Sequence, residues 1–167
     1  AVLRLNTHQH LPLVEADATQ MHQIIMNLVI NASEAIGDRS GVIVISTGCM
    51  KCDRNYLKDV WLDENLADGL YVYLEVADTG CGMNKETLSK LFDPFFTTKF
   101  TGRGLGMAAV LGIVRGHRGA IKVYSEPDRG TSFKMLFPAS ARQSGPVSCS
   151  SPHCSDSKSE GTILLVD

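Results

Sequence analysis

Apolar residues recur along the chain with two periods, and the changes between them mark out the elements. Leu11 to Val14 is a short strand-like run. Asp17 follows as a helix cap, with Gln20 placed for the reciprocal bond of a capping box. Met21, Ile24, Ile25, Leu28 and Val29 keep the spacing of one buried helical stripe, which should end near Gly37, a residue suited to a C-terminal cap. Val42 to Thr47 is short and β-branched, and Leu70 to Ala77 alternates, so both predict strands. Residues 49–69 between them read as an excursion with a helical turn. A short helix is expected over Lys85 to Leu91. A longer one is expected over Leu105 to His117, with Met107, Val110, Leu111 and Val114 buried and Arg115 and His117 as cations suited to its C-terminal end. Phe92 to Arg103 lacks periodicity, and an irregular loop of that length is usually functional. Ala120 to Ser125 and Thr131 to Phe137 predict two strands joined by the turn at residues 126–130. This order implies a mixed sheet with helices on one face.

Residues 1–138 thus make one folded unit. Over 139–161 the composition shifts to serine, proline and glycine, which predicts a flexible linker. Residues 162–167, TILLVD, begin a new apolar strand and imply a larger architecture. The formal net charge of -2 leaves no basic field that would draw nucleic acid or acidic lipid. No apolar run approaches a membrane span and the opening residues lack a signal-peptide core, so a cytoplasmic location is expected, with any anchor of a full-length protein lying outside this chain. The five cysteines show no secreted-domain spacing. Cys49-x-x-Cys52 offers only half the ligands a zinc site needs, so reduced thiols are expected.

Four segments carry candidate chemistry. Asn27, Asn31 and Glu34 fall on one line of the first long helix, where asparagine is unfavourable by propensity. Their oxygens would suit a hard cation such as Mg²⁺ carrying phosphates, although a solvated helix face is the plainer account. Asp78-Thr79-Gly80-Cys81-Gly82-Met83 directly follows a strand, and Asp78 shares the parity of Val72, Leu74 and Val76. A carboxylate turned to the core side needs a donor, which an adenine amino group would supply; an Asx turn is the alternative. Phe92-Asp93-Pro94-Phe95-Phe96-Thr97-Thr98-Lys99 places three phenylalanines, either lid anchors or routine core contacts, beside a lysine able to reach phosphate. Gly102-Arg103-Gly104-Leu105-Gly106 opens a helix whose free N–H groups would favour an anion, without matching the P-loop or the dinucleotide fingerprint. Thr131 lies on the face of Phe133, Met135 and Phe137, near a bound base or simply in the core.

In order and spacing, N27-L-V-I-N31-A, D78-T-G-C-G-M, F92-D-P-F-F-T-T-K and G102-R-G-L-G-M resemble the N, G1, F and G2 boxes of histidine kinases. With G130-T-S-F the resemblance covers nearly all of residues 1–138, and its wording is most similar to sensor kinases that carry a receiver domain after the kinase. It implies an α+β fold: the Bergerat two-layer α/β sandwich, with a mixed, mainly antiparallel sheet and helices on one face. It implies ATP and Mg²⁺ as ligands, with Asn31 holding the metal, Asp78 binding the adenine amino group, and Gly80 and Gly82 shaping the base pocket beside Met83 and Thr131. Lys99, Gly104 and Gly106, with Gly102, Arg103 and Leu105 of the same box, would line the phosphates under a lid based at Phe92. Glu34 would play a supporting role. Related ATPases carry a water-activating glutamate where this chain has Asn27, a poor general base, which favours transfer to a protein over hydrolysis. Asn27, Asn31 and Lys99 are therefore the expected catalytic set. The family's acceptor histidine belongs to a separate dimerisation domain, and His8, His10, His22, His117 and His153 lack that setting. The implied partners are that domain, a receiver domain or response regulator, and a second copy of the full-length protein, with no nucleic acid. TILLVD resembles the first strand of a receiver, with Asp167 as its first acid. A hydrolytic ATPase of the same fold and a non-catalytic nucleotide-binding module are the alternatives.

Overall fold

The computed structural model describes residues 1–58, 60–61, 66–98 and 104–140. Lys99, Gly102, Arg103, most of the serine-rich segment and TILLVD lie outside them. Five strands form one sheet in the order β1-β2-β3-β5-β4. They are β1 (Val2–Asn6), β2 (Val42–Cys52), β3 (Gly69–Asp78), β4 (Ala120–Glu126) and β5 (Gly130–Pro138). β1 runs parallel to β2 and every other pair is antiparallel. The helices are α1 (Ala18–Ile36), α2 (Arg54–Leu57), α3 (Lys85–Ser89) and α4 (Gly106–Gly116).

Strand alternation sorts the side chains onto two faces. Ile43, Ile45, Leu74, Val76, Ile121, Phe133, Met135 and Phe137 meet Ile24, Leu28, Ala32 and Ile36 of α1 and Val110 and Val114 of α4 in the main core. Each such aliphatic side chain contributes about 1.5–3 kcal/mol when fully buried. This is the expected layer of helices on one face of a mixed sheet. The excursion adds a partial second layer, since Leu57 of α2 packs against Cys52, Tyr71, Ala120 and Leu136 on the opposite face. Farther along that face the surface is polar: Lys134 Nζ lies 3.0 Å from Glu75 Oε2, and Ser132 Oγ donates to Glu75 Oε1 at 2.6 Å.

Asp17 caps α1 as expected, its Oδ1 accepting from Gln20 N at 3.0 Å. Its own N–H donates to His117 Nε2 at 3.1 Å, a bond the sequence pattern assigns to Gln20. Gly37 closes the helix at φ 60, with its N–H on Ser33 O.

Three expectations need correction. Leu11 to Val14 is not a strand, and Leu13 is 57% exposed; the first strand is Val2–Asn6, which turns only Leu3 inward and so leaves no periodic trace. β2 continues past Thr47 to Cys52. Gly48 marks a close approach within that strand, because a Cβ there would lie 2.5 Å from the Tyr73 hydroxyl. The thiols are not all reduced: Cys49 is disulfide-bonded, while Cys52 is free and buried and Cys81 free and exposed. Burial pushes the Cys52 thiol up to about 11. Among the described residues no helix is long and apolar enough to cross a membrane.

Candidate nucleotide site

Asp78 ends β3 opposite Thr131 of β5. Its Oδ1 accepts from Gly80 N at 2.7 Å. Burial raises the pKa of this carboxyl, and the backbone N–H groups of Gly80 and Thr131 hold the rise in check. The group is thus a desolvated acceptor, and a donor from a ligand would offset part of its cost. Gly80 is needed because a Cβ would come within 2.7 Å of Ala35 Cβ in α1. Gly82 combines φ +63 with a Cβ position 1.9 Å from Glu126 O, so no larger residue fits. The loop they make is tied to α1 by Cys81 N on Ala35 O at 3.0 Å, and to the β4–β5 turn by Asp128 N on Cys81 O at 2.7 Å.

Ser125, which the sequence reading passed over, organises the neighbouring wall. Its Oγ accepts from Met83 N at 2.8 Å and lies 2.9 Å from Thr131 Oγ1. Its parity with Ile121 and Val123 in β4 is the one signal that could have pointed to it. A cleft of about 540 Å³ opens here, bordered by Asp78, Leu88, Val123, Ser125, Gly130 and Thr131 among others. A hollow of about 670 Å³ at the far end of the sheet is less apt, because its acids are already committed. Asp53 caps α2, and Asp68 lies 3.9 Å from Arg54.

The second half of the site is where α1 faces the start of α4. Asn31 Nδ2 donates to Met107 Sδ at 3.3 Å, and Asn27 Oδ1 stands 3.5 Å from where a Cβ on Gly106 would sit. With Nδ2 turned to the thioether, the amide oxygen of Asn31 is the atom a hard cation would take. Leu105 occupies the N-cap of α4 without a side-chain cap bond, so the first N–H groups of that helix have no such acceptor. Gly104, at φ +66, packs against the backbone of Phe95, whose N–H donates to Gly104 O at 3.0 Å. From Asn27 to Ala35 α1 rises about 12 Å, so a single helix joins the two halves.

The structure therefore brings Asn27, Asn31, Gly104, Leu105 and Gly106 together at one end and Asp78, Gly80, Gly82, Met83 and Thr131 at the other. Glu34 is exposed on α1 between them. Phe92 is 7% exposed and packs in the main core, so it anchors the loop rather than walling the cleft.

These features agree with the comparisons. The family described as histidine kinase-, DNA gyrase B-, and HSP90-like ATPase matches residues 16–141. Sensor histidine kinase ZraS of Salmonella typhi is 36% identical over 141 residues, which is 84% of this chain and 26% of ZraS. Sensory histidine kinase/phosphatase NtrB of Rhizobium meliloti is 41% identical over 131 residues, 78% of this chain and 33% of NtrB. The chain thus spans a third or less of these relatives' length. Among solved structures, the catalytic domain of histidine kinase ThkA superposes with a TM-score of 0.61 at 30% identity, covering 83% of this chain and 78% of ThkA's. Full-length ShkA in complex with AMPPNP gives 0.62 at 25% identity, over 82% of this chain and 25% of ShkA's. The chain belongs to the histidine kinase-, DNA gyrase B- and HSP90-like ATPase family, and within it to the histidine kinase catalytic domains.

Proposed function

We propose that this domain binds Mg-ATP and presents the γ-phosphoryl group to a histidine on a separate helical dimerisation domain. Asp78 would accept from the adenine amino group, and Gly80 and Gly82 leave the backbone close enough to the base for that contact. The N–H groups opening α4 at Gly104 to Gly106 would take the phosphates, with Lys99, Gly102 and Arg103 contributing cationic and backbone donors from the same loop. Asn31 would hold Mg²⁺, which supplies charge neutralisation on the phosphates when bound. Transfer forms a nitrogen–phosphorus bond on the acceptor imidazole, breaks the bond to the β,γ-bridging oxygen and leaves ADP. The domain's part is positioning and charge stabilisation.

One observation carries the preference for transfer over hydrolysis. The side chains on α1 that meet the start of α4 are Asn27 and Asn31, both amides, and the acid on the same line, Glu34, lies nearly two turns beyond Asn27 and is exposed. An amide is a poor general base for water. The ATP complex of the chain, incubated with a histidine-containing dimerisation domain from an NtrB-type kinase, should move γ-label onto that domain and leave this chain unlabelled. Phosphate release without labelled protein would instead identify a hydrolase. Absence of nucleotide binding by the folded chain in calorimetry would overturn both readings.

The wider setting follows the same reading. The likeness of TILLVD to the first strand of a receiver, after a segment rich in serine, proline and glycine, supports a receiver domain following a flexible linker, with Asp167 as its first acid. We place the module in the cytoplasm, where ATP is supplied, in a homodimeric full-length kinase with or without a membrane anchor.

A further inference from the structure

We infer that Trp61 is a positioning residue for the phosphate half of the site, acting through Phe92; the inference rests on the nucleotide-binding reading above. The excursion between β2 and β3 first covers the outer face with α2 and then passes along the sheet's free edge. Trp61 backbone N–H donates to Ile121 O at 2.9 Å, taking up a carbonyl of β4, which is an edge strand among the described residues. This bond fixes the residue in place, and its indole then meets the Phe92 ring edge-on, with centroids 5.2 Å apart and planes at 62°. Phe92 belongs to the helix-side core, so Trp61 links the edge of the sheet to the base of the glycine-rich loop.

From Phe92 the chain reaches the phosphates in two short steps. Phe95 N–H closes onto Gly104 O at 3.0 Å, and Gly106, two residues later, lies against Asn27. A shift at Phe92 is therefore passed to the N-terminus of α4, while Asp78, Gly80 and Thr131 are held by bonds of their own. The structure thus separates two effects. Trp61 should influence how phosphates are held and not how the base is held.

The test uses the whole chain. Trp61→Ala removes the aromatic pair and should weaken ATP binding about fivefold to tenfold, leaving adenosine binding within about twofold. Trp61→Phe, which keeps a ring on Phe92, should restore most of the ATP affinity. Trp61 is also the chain's single tryptophan, so unmodified protein gives an independent reading. ATP should shift its emission and adenosine should not. Equal losses for ATP and adenosine, or ATP bound with unchanged emission, would show an ordinary packing contact and overturn the inference. Failure of the native chain to bind any nucleotide would instead remove the proposed function.

Discussion

Asp78 is held at the end of β3 by two backbone N–H donors, yet burial still lifts its pKa above the ordinary carboxylate value of 3.8. The sign of the consequence follows from proton linkage. Between 3.8 and the raised value the folded chain keeps a proton that the unfolded chain has released, so stability falls as pH climbs through that window. Above it the cost of the buried charge remains, including at neutral pH. Asp78→Asn keeps the shape and the acceptor for Gly80 while removing the charge. The empty variant should therefore melt at or above the native temperature at pH 7. The same change places an amide where adenine needs a full acceptor and should weaken ATP binding by about 1–3 kcal/mol. Thermal melts and calorimetry on one preparation check both halves. A variant that melts lower and binds ATP normally would mean that the carboxylate serves the fold and not the base.

At the scale of elements, the two halves of the site depend on how α1 and α4 are set against each other, and His117 fixes that relation at the end remote from Asn31. Its Nε2 accepts from Asp17 N–H, its Nδ1 lies 2.8 Å from Ile113 O, and its ring stands edge-on to Phe137. Through these contacts the ring works as a clamp between the start of α1 and the end of α4. His117→Ala should cost about 1–2 kcal/mol, one hydrogen bond plus one aromatic pair, read by urea unfolding. His117→Phe, which keeps the ring contact alone, should recover part of that. Equal stability of the alanine and native proteins would remove the clamp. This clamp also shows where sequence reading reaches its limit. The G1 box was legible because glycine must stand wherever a Cβ would strike Ala35 or Glu126 O, a constraint written into the local sequence. The asparagine line was legible because mid-helix amides oppose propensity. Contacts between His117 and Asp17, Met83 and Ser125, or Trp61 and Phe92 join residues that are far apart in the chain, and no local period encodes them. β1 was missed for a related reason: a parallel edge strand with one inward residue takes its place from its neighbour's backbone.

For the molecule as a whole, the proposed phosphoryl transfer would require a second protein surface to come within bonding distance of the phosphate end, and the exposed residues around that end offer a landing surface. Met26 and Ile30 precede Asn27 and Asn31 by one position each and are 57% and 47% exposed. Leu105 at the N-cap of α4 is 45% exposed, and Phe95 beside Gly104 is 75% exposed. Isolated exposed apolar residues are ordinary. These four come from α1, the loop and α4, and each adjoins a residue assigned here to the phosphate end. The opposite, base end is bordered by Glu126 and Arg129, which pair at 2.7 Å. An acceptor domain approaching from the phosphate side, the productive one, would bury these four apolar side chains. Met26→Ser with Ile30→Ser should raise the KM for a supplied acceptor domain about tenfold, as expected when part of the burial energy of two side chains is lost. The nucleotide Kd should stay within about twofold, because neither side chain lies on the asparagine line and α1 keeps its buried face. Transfer rates measured against acceptor concentration, beside calorimetry with ATP, separate the two quantities. An unchanged acceptor KM would place the landing surface elsewhere. A weakened nucleotide Kd would mean that the substitutions had disturbed α1 itself, and Met26→Leu with Ile30→Leu, which keeps the apolar surface, should then behave as the native chain in both measurements.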